Sequence, residues 1–316
     1  MSVQPSPFTA AGQWYRGCLH AHTTESDGGM PPEKLLAHYR LGGFDFVALT
    51  DHRRVTDRTA FSQPDFLVLR GTELNLGRTE CGTEYHIVGI GVDSDFASSQ
   101  EWSPQTGIDE IGRHGGVAII AHPYWTGLTS ADLLAVSGYA ALEVFNTGCE
   151  GEIARGFSHV HWDDLLSRGL AVRAVASDDT HWPGFDSLHA WTVVRAPELT
   201  AEAVVEALHA GHFYASTGPE IYDVRMVGNE VTVECSPATS VALVCNATRG
   251  GRVGVGASEP PIGARRRPGR QAPEGLDGGP LTGAMFQLRG DETYARVQVT
   301  DARGCVAWTN PLFVGL

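Results

Sequence analysis

The stretch PPEKLLAHYRLGGFDFVALTDH, residues 31–52, contains one complete helix-and-strand unit of the chain. Two prolines suited to a first helical turn open a helix-like segment that ends at Gly42-Gly43. An apolar, β-rich run, Phe44–Leu49, follows and ends in the polar residues Thr50-Asp51-His52. Such near-continuous apolar runs are typical of parallel strands that are buried on both faces. The stretch therefore predicts a buried strand with a carboxylate and a histidine at its C-terminal end.

The same unit recurs from Trp14 to about Arg195. Five more apolar runs have this character, at residues 66–69, 85–90, 117–121, 141–145 and 171–176. Helix-like segments stand at residues 108–114, 162–168 and 199–210, and Thr200 suits the N-cap of the last. Repeated β-then-α units predict an α/β barrel or a doubly wound sheet.

The pattern changes after about Ser216. Five short strand-like runs follow, at residues 221–226, 230–235, 240–245, 294–300 and 306–309. The segment 249–280 contains nine Gly, five Pro and six Arg, so we expect a flexible loop whose Arg265-Arg266-Arg267 cluster is solvated. These patterns predict two domains, an α/β domain at 1–215 and a small all-β, sandwich-like domain at 216–316.

Composition excludes several classes of protein. With 42% hydrophobic and 9% aromatic residues, the bulk of the chain is not disordered. The 23 Lys+Arg against 37 Asp+Glu give a net charge of −14, which disfavours nucleic acid as the main partner. The chain has no apolar run of about 18 residues, so no membrane span is expected. The absence of a signal-peptide pattern and of any CxxC pair among six cysteines predicts a reduced, cytoplasmic protein.

Histidine is concentrated in the α/β part, since all 13 lie between His20 and His212. Metal-ligand residue types close successive predicted strands, in the segments His20-Ala21-His22 with Asp27, Thr50-Asp51-His52, Gly71-Thr72-Glu73, Ala121-His122-Pro123 and Asp178-Asp179-Thr180-His181, while His86 lies inside another. In a barrel of parallel strands these ends meet at one rim, where active sites are built. Bare buried imidazoles and carboxylates would be costly there, and bound metal relieves that cost.

The residue types also indicate which cations suit this rim. Imidazole nitrogen and carboxylate oxygen suit zinc, manganese or iron, and one carboxylate can bridge two cations. His20 and His22, two apart on a strand, point to the same face and can bind one ion together. Glu143 lies inside a predicted strand, and we interpret it as an acceptor that orients a ligand rather than as a ligand.

The ordered motifs resemble a known family. They are Leu19–Thr23 with Ser26-Asp27-Gly28, Ala48–His52, Gly71-Thr72-Glu73, Glu84–Gly89, Ala121-His122-Pro123 and Asp179-Thr180-His181. Over roughly residues 14–215 this series is similar to the PHP (polymerase and histidinol phosphatase) superfamily of metal-dependent hydrolases. The resemblance implies a distorted (β/α)7 TIM-like barrel with two or three divalent ions. The Asp178–His181 form and the segments Phe213–Pro219 and Ala307–Pro311 look like the branch that includes carbaryl hydrolase (CehA/McbA type), which carries a C-terminal β domain.

The resemblance also implies a ligand set. The first ion would be held by His20, His22, Glu73 and Asp179. Glu73 would bridge to a second ion on His86 and His122, and a third would use Asp27, His52 and His181. Asp27 stands where some members of the family have histidine, and Asp178 competes with Asp179, whose D-x-H spacing favours it.

Three functions are compatible with this centre. The first is a phosphoesterase that cleaves a small phosphate mono- or diester with a metal-bridging hydroxide, with Asp179 or His181 relaying a proton and Arg155 clamping phosphate. The second is hydrolysis of a carbamate, carboxylic ester or amide, favoured by an aromatic wall from Tyr124, Trp125, Trp182 and Phe185. The third is an inactive binding module. The first two imply a small-molecule phosphorylated or ester substrate, and the oligomeric state is not determined by the sequence.

Overall fold

Within residues 6–255, 264–266 and 279–314, which the computed structural model describes, fourteen strands form one sheet and four form another. The strands up to residue 216 are β1 (Gln13–Cys18), β2 (Phe46–Leu49), β3 (Leu67–Leu76), β4 (Tyr85–Ile90), β5 (Val117–Ile120), β6 (Ala141–Asn146), β7 (Arg173–Ser177), β8 (Trp191–Ala196) and β9 (Phe213–Ser216). The later strands are β10 (Ile221–Val227), β11 (Glu230–Ala238), β12 (Ser240–Cys245), β13 (Gly250–Gly254), β14 (Ala264–Arg266), β15 (Leu281–Gln287), β16 (Tyr294–Thr300), β17 (Val306–Thr309) and β18 (Leu312–Phe313).

Seven α-helices lie among these strands in the described residues. They are α1 (Pro32–Leu41), α2 (Pro104–Arg113), α3 (Pro123–Thr126), α4 (Ser130–Leu134), α5 (Thr147–Ile153), α6 (His159–Ser167) and α7 (Ala201–Ala210). Helix α7 has the predicted N-cap, because the Thr200 side chain accepts a hydrogen bond from the Ala203 amide. No described helix is long and apolar enough to cross a membrane.

The strand order around the rim is β8-β1-β2-β3-β4-β5-β6-β7. The pairs β1–β2, β2–β3, β5–β6 and β6–β7 are parallel, which confirms a mixed α/β fold with parallel strands. Strand β4 is antiparallel to both β3 and β5, so its N-terminal end lies beside the C-terminal ends of its neighbours. This reversal explains why His86, the second residue of β4, belongs at the rim although it stands inside a strand.

A closed (β/α)7 barrel stays a prediction, because β7 and β1 are not paired along their strands in the described sheet. Just past their C-terminal ends, however, the segments that follow the two strands are joined by backbone hydrogen bonds. The Asp179 amide donates to the His20 carbonyl and the His22 amide to the Thr180 carbonyl, both at 2.9 Å. These two bonds hold the segments that carry His20, His22 and Asp179 side by side.

Strand β2 has both faces buried, as its apolar run predicts. Val47 and Leu49 pack in a cluster that includes Tyr39 of α1, whereas Phe46 and Ala48 pack in a separate cluster on the other face. All four residues are fully buried. Burial contributes a stabilising free energy of roughly 0.8 kcal/mol per CH₂, and it acts here on both faces of the strand. It therefore fixes the strand and the position of the polar residues at its end.

The C-terminal strands continue the large sheet rather than standing apart from it. Strand β17 pairs antiparallel with β9, and the order runs on through β16, β12 and β13. The second sheet, β10-β11-β15-β14, shares one apolar core with these strands, including Val233, Val241 and Val297. The two-layer arrangement suits the predicted sandwich, while the division of the chain near residue 215 stays a prediction because backbone pairing crosses it.

The predicted loop at 249–280 is wrong in part. Strands β13 and β14 lie inside it, and residues 256–263 and 267–278 of it lie outside the described residues. Glycine at 250 serves a close approach of two strands: a Cβ there would lie 2.2 Å from the Leu243 carbonyl oxygen. A glycine-rich sequence predicts flexibility, whereas here the missing side chain permits pairing with β12.

Candidate metal centre

The structure brings all nine sequence-predicted ligands into groups whose donor atoms lie within 4.8 Å of one another. The groups are His20, His22, Glu73 and Asp179; Glu73, His86 and His122; and His22, Asp27, His52 and His181. Two further groups add Glu143 to His20 and His122, and Cys149 to His122 and Asp179. Residues far apart in sequence thus meet at one end of the strands, where parallel-strand folds build their sites.

The backbone at this rim adopts costly conformations. Three of the six described non-glycine residues with positive φ stand here: Arg53 at 56°, His122 at 26° and Asp179 at 55°. Each such residue costs on the order of 1–3 kcal/mol and persists only where its surroundings hold it. A left-handed backbone conformation directs the side chain differently from the extended backbone at a regular strand end. The concentration of strain at this rim is typical of functional sites and supports it as the candidate site.

Glu73 is the centre of the arrangement. It lies inside β3 rather than after it, because pairing with β4 extends β3 to Leu76. The carboxylate is 1% exposed, and its two oxygens face different imidazoles. Oε2 lies 3.3, 3.1 and 3.2 Å from nitrogens of His20, His22 and His52, and Oε1 lies 2.7 and 3.4 Å from those of His86 and His122. This is the geometry of a carboxylate placed between two cation positions.

The group of His20, His22, Glu73 and Asp179 is buried. The Nε2 atoms of His20 and His22 are 3.1 Å apart, and Asp179 Oδ1 lies 3.1 and 3.2 Å from them. That oxygen is buried and has no hydrogen-bond partner of good geometry among the described residues. An unsatisfied buried carboxylate oxygen is costly. A cation bound among these donor atoms would satisfy it, so the residues fit a metal ion.

Electrostatics support a requirement for positive charge. Burial would raise the pKa of Glu73 and Asp179, yet the facing imidazoles, His20 foremost, hold both well below their ordinary values. Burial would lower the pKa of His20, but Asp179, Glu143 and Glu73 outweigh it and raise that pKa. Buried ionised carboxylates therefore need cationic partners, which are either imidazolium rings or metal ions.

The third group is more open. Asp27 has 55% of its side chain exposed, and its oxygens lie 3.4 Å from His181 Nε2 and from His52 Nε2. Hydrogen bonding to His181 and then His52 holds the pKa of Asp27 far below its ordinary value. Carboxylate at this position is therefore ionised at neutral pH and available to a cation near the cavity mouth.

Glu143 has the geometry expected of a residue that orients a ligand. Its Oε1 accepts from His20 Nδ1 at 2.8 Å, and its Oε2 accepts from the His122 amide at 2.9 Å and from Asn146 Nδ2 at 2.8 Å. With Glu143 as the acceptor of this bond, His20 carries a proton on Nδ1. Nε2 of His20 then faces Glu73 and Asp179, where it would coordinate a bound ion.

Replacing Glu143 by glutamine is expected to weaken metal binding by about 10- to 100-fold. The amide can present a donor to His20 Nδ1, so the proton of the ring is no longer held on that nitrogen. Chelator competition followed by metal quantification measures this affinity. Glu202→Gln, on the exposed face of α7, is the matched control and is expected to bind metal like the wild type. Equal affinities for both variants would remove the orienting role.

Asp178 does not belong to any ligand group among the described residues. Its oxygens accept from the amides of Leu188, His189 and Ala190 at 2.6, 3.0 and 2.8 Å, and from the hydroxyls of Tyr39 and Thr147, both at 3.0 Å. These bonds use its lone pairs, whereas Asp179 directs Oδ1 at two imidazoles. The geometry therefore favours Asp179 in the competition that the sequence leaves open.

A cavity of about 760 Å³ opens onto the candidate ligands. Its lining includes Arg53, Trp125, Trp182 and Phe185 together with Glu73 and Asp179, but neither Arg155 nor Tyr124. The Arg155 guanidinium instead lies 5.3 Å from the ring centroid of Tyr124. The candidate site predicted from the sequence does not include Arg53. Arg53 directly follows Asp51-His52, so it too stands at the end of a predicted strand.

Cys149 also lines the cavity, 3.9 Å from Asp179 Oδ2. It is 4% exposed, and burial followed by the nearby carboxylate of Asp179 raises the pKa of its thiol. A thiol so disfavoured as thiolate is a poor nucleophile. Its neighbourhood therefore favours the interpretation of Cys149 as a buried small side chain.

Comparisons with known proteins place the fold. No family model matches the sequence. An uncharacterised protein of Methanocaldococcus jannaschii is 29% identical over 119 residues, which cover 34% of this chain and 66% of that relative, slightly less than two thirds of its length.

The structure is similar to a two-domain protein from Bacteroides vulgatus containing a predicted PHP-like metal-dependent phosphoesterase, with a TM-score of 0.52, 16% identity and coverage of 95% of this chain and 96% of that one. An amidohydrolase from Chromobacterium violaceum with bound sulfate gives a TM-score of 0.46 at 17% identity, covering 62% of this chain and 96% of that one. The Bacteroides protein establishes a shared fold.

Proposed function

We propose that the protein is a metal-dependent phosphoesterase of the PHP superfamily, in the branch that includes carbaryl hydrolase, acting on a small phosphate mono- or diester. The observation that carries the proposal is Glu73, a buried carboxylate whose two oxygens face two separate groups of imidazoles. Such a carboxylate is the bridging ligand that a two-cation hydrolytic centre requires. The fold shared with the Bacteroides protein supports the same assignment.

The proposed ligands fall into three sets. His20, His22, Glu73 and Asp179 would hold one divalent ion, zinc, manganese or iron. Glu73, His86 and His122 would hold a second, and Asp27, His52 and His181 a third. When bound, such ions lower the pKa of coordinated water toward about 7 and neutralise phosphoryl oxygens as their charge builds.

Protein groups supply orientation and proton transfer. Glu143 fixes the His20 ring, and the Asn146 side chain donates to both Glu143 and Asp179, at 2.8 and 3.1 Å. His181 lies 3.0 Å by Nδ1 from the Asp179 carbonyl, so Nδ1 carries a proton and Nε2 faces Asp27. With no ion at the third position, His181, which lines the cavity, would be placed to relay a proton to or from a substrate there.

One observation favours a second candidate, hydrolysis of a carbamate, carboxylic ester or amide. The cavity wall is partly aromatic, with Trp125, Trp182 and Phe185, and it also carries the carboxylates of Glu84 and Glu152. An apolar, acidic wall accepts a neutral ester more readily than a dianion. Arg53 in the same wall favours phosphate. An inactive binding module is opposed by the presence of donor groups at all nine expected ligand positions.

The test is a side-by-side assay with metal quantification. Purified protein is expected to contain at least two divalent ions per chain and to hydrolyse p-nitrophenyl phosphate or its bis-ester faster than a naphthyl carbamate. His20→Ala is the inactive control, expected to lose metal and turnover. Cleavage of the carbamate alone would establish the second candidate instead. Protein with neither stoichiometric metal nor activity on any substrate would overturn both.

A further inference from the structure

Aromatic rings and a guanidinium share the cavity with the candidate ligands. Trp182 and Phe185 line it with 65% and 59% of their surfaces exposed, and Trp125 lines it beside the rings of His86 and His122. Large apolar side chains left exposed in a concave site forgo the free energy of burial, about 25 cal/mol per Å². Several together mark a surface that another apolar group covers.

The two exposed rings are held in place from behind. A Cβ at Gly29 would lie 3.0 Å from the Trp182 ring, and one at Gly151 would lie 2.8 Å from the Phe185 ring. Each ring therefore lies directly against a glycine. Contact on one side combined with high exposure leaves the rest of each ring free to meet a ligand.

The loop that carries both rings is fixed by one buried carboxylate. Asp186, 2% exposed, accepts hydrogen bonds from the amides of His181 and Trp182 at 2.8 Å, and the Phe185 amide donates to the Trp182 carbonyl at 2.9 Å. The backbone that carries the rings thus requires little ordering when a ligand binds. Pre-organisation of this kind raises affinity by reducing the entropy lost on association.

Arg53 supplies the one arginine among the residues that line the cavity. Its backbone is anchored on both sides, since its amide donates to the Glu73 carbonyl at 2.8 Å and its carbonyl accepts from Ser98 Oγ at 2.8 Å. Among the described residues the guanidinium, in contrast, makes only long contacts of 3.5 Å, to the Asn75 carbonyl and to Glu84. Because the backbone of Arg53 is anchored and its guanidinium has only long contacts with the described residues, the guanidinium is available to bind an anion with two parallel hydrogen bonds.

We infer that the cavity selects phosphate esters whose leaving group is a planar aromatic ring. Arg53 contacts the phosphoryl oxygens, while Trp182 and Phe185 pack against the ring that departs. The inference rests on the proposed phosphoesterase function. In the reaction water oxygen bonds to phosphorus, the bond from phosphorus to the aryl oxygen breaks, and that oxygen takes the electron pair and a proton to leave as the free phenol.

The test compares 2-naphthyl phosphate with hexafluoroisopropyl phosphate, because their leaving alcohols have nearly the same acidity and differ in having an aromatic ring. The expected ratio of kcat/KM is at least about 10 in favour of the naphthyl ester, the factor that about 1.4 kcal/mol of ring contact gives. Trp182→Ala and Phe185→Ala are expected to reduce this ratio several-fold, and Trp182→Phe to retain most of it. Tyr222→Ala removes an exposed aromatic side chain on β10, outside the cavity lining, and is expected to leave the ratio unchanged.

Binding of 2-naphthylmethylphosphonate, which cannot be hydrolysed, separates the two proposals. Calorimetry is expected to show binding to the wild type that weakens about 10-fold in Trp182→Ala and in Arg53→Gln. Binding with this pattern but no cleavage of either ester would overturn the phosphoesterase and leave the recognition of aromatic anions standing. Equal kcat/KM for the two esters, or binding insensitive to Trp182, would overturn the inference with the phosphoesterase intact.

Discussion

Replacing Glu73 by glutamine is expected to lower metal-dependent turnover by at least about 10³-fold, which corresponds to roughly 4 kcal/mol of transition-state stabilisation. The amide removes a negative charge from a fully buried position between two groups of imidazoles. It also turns an NH₂ group toward His20 and His22 or toward His86 and His122. At least one ion per chain should be lost, because Glu73 is the one residue shared by the proposed first and second ligand sets.

Metal quantification by mass spectrometry and kcat/KM on the best ester check this expectation. Glu206→Gln is the matched control: it makes the same chemical change on the exposed face of α7, and it should retain the wild-type metal content and rate. If Glu73→Gln keeps two ions and full turnover, Glu73 does not bridge and the assignment of the first two ligand sets is wrong.

Replacing Asp178 by alanine is expected to lower the free energy of unfolding by about 4 kcal/mol or more, although Asp178 is not proposed to touch metal or substrate. Its carboxylate is fully buried and accepts from three consecutive amides, Leu188 to Ala190, as well as from Tyr39 and Thr147. Removing it leaves the buried Ala190 amide and Thr147 hydroxyl without this acceptor, together with the partly buried amides of Leu188 and His189. Burial raises the pKa of Asp178 to about 6, against the opposing effect of those amides, so it is still ionised at neutral pH.

Urea unfolding of the metal-free protein measures the effect without a contribution from bound ions. Asp95→Ala, at an exposed position, should change stability by no more than about 0.5 kcal/mol. Asp178→Asn keeps the volume and one acceptor oxygen, so it should lie between the alanine variant and the wild type. A change in Asp178→Ala as small as that in Asp95→Ala would mean that the network does not hold this part of the rim.

Local sequence was sufficient for many of the strands. The strands Tyr85–Ile90, Ser240–Cys245, Tyr294–Thr300 and Val306–Thr309 have the predicted bounds, because each has an apolar or alternating run with clear limits. The prediction missed Trp191–Ala196, which pairs antiparallel with β1. It also ended the third strand early, since polar Glu73 is accommodated inside a strand only by its imidazole partners and by pairing with β4.

The ligand types could be read from the sequence, and their geometry could not. Imidazoles and carboxylates at successive strand ends predict a metal centre, because parallel strands bring their ends together. Which carboxylate oxygen faces which ring depends on local backbone, such as the positive φ of Asp179 and the reversed direction of β4. The same limit explains Arg155, which follows a strand at the rim yet lies over Tyr124 instead of lining the cavity.

By itself, the sequence determined the mixed α/β fold, most strand positions and the residues able to bind metal, because burial periodicity and donor chemistry are local properties of the chain. Tertiary structure alone decided the pairing of the late strands with β9, the division of the Glu73 oxygens between two groups, and the presence of Arg53 beside Trp182 and Phe185 in one cavity. These features depend on distances between segments remote in sequence. Such distances are set when the two faces of the sheet are buried together, and no local pattern encodes them.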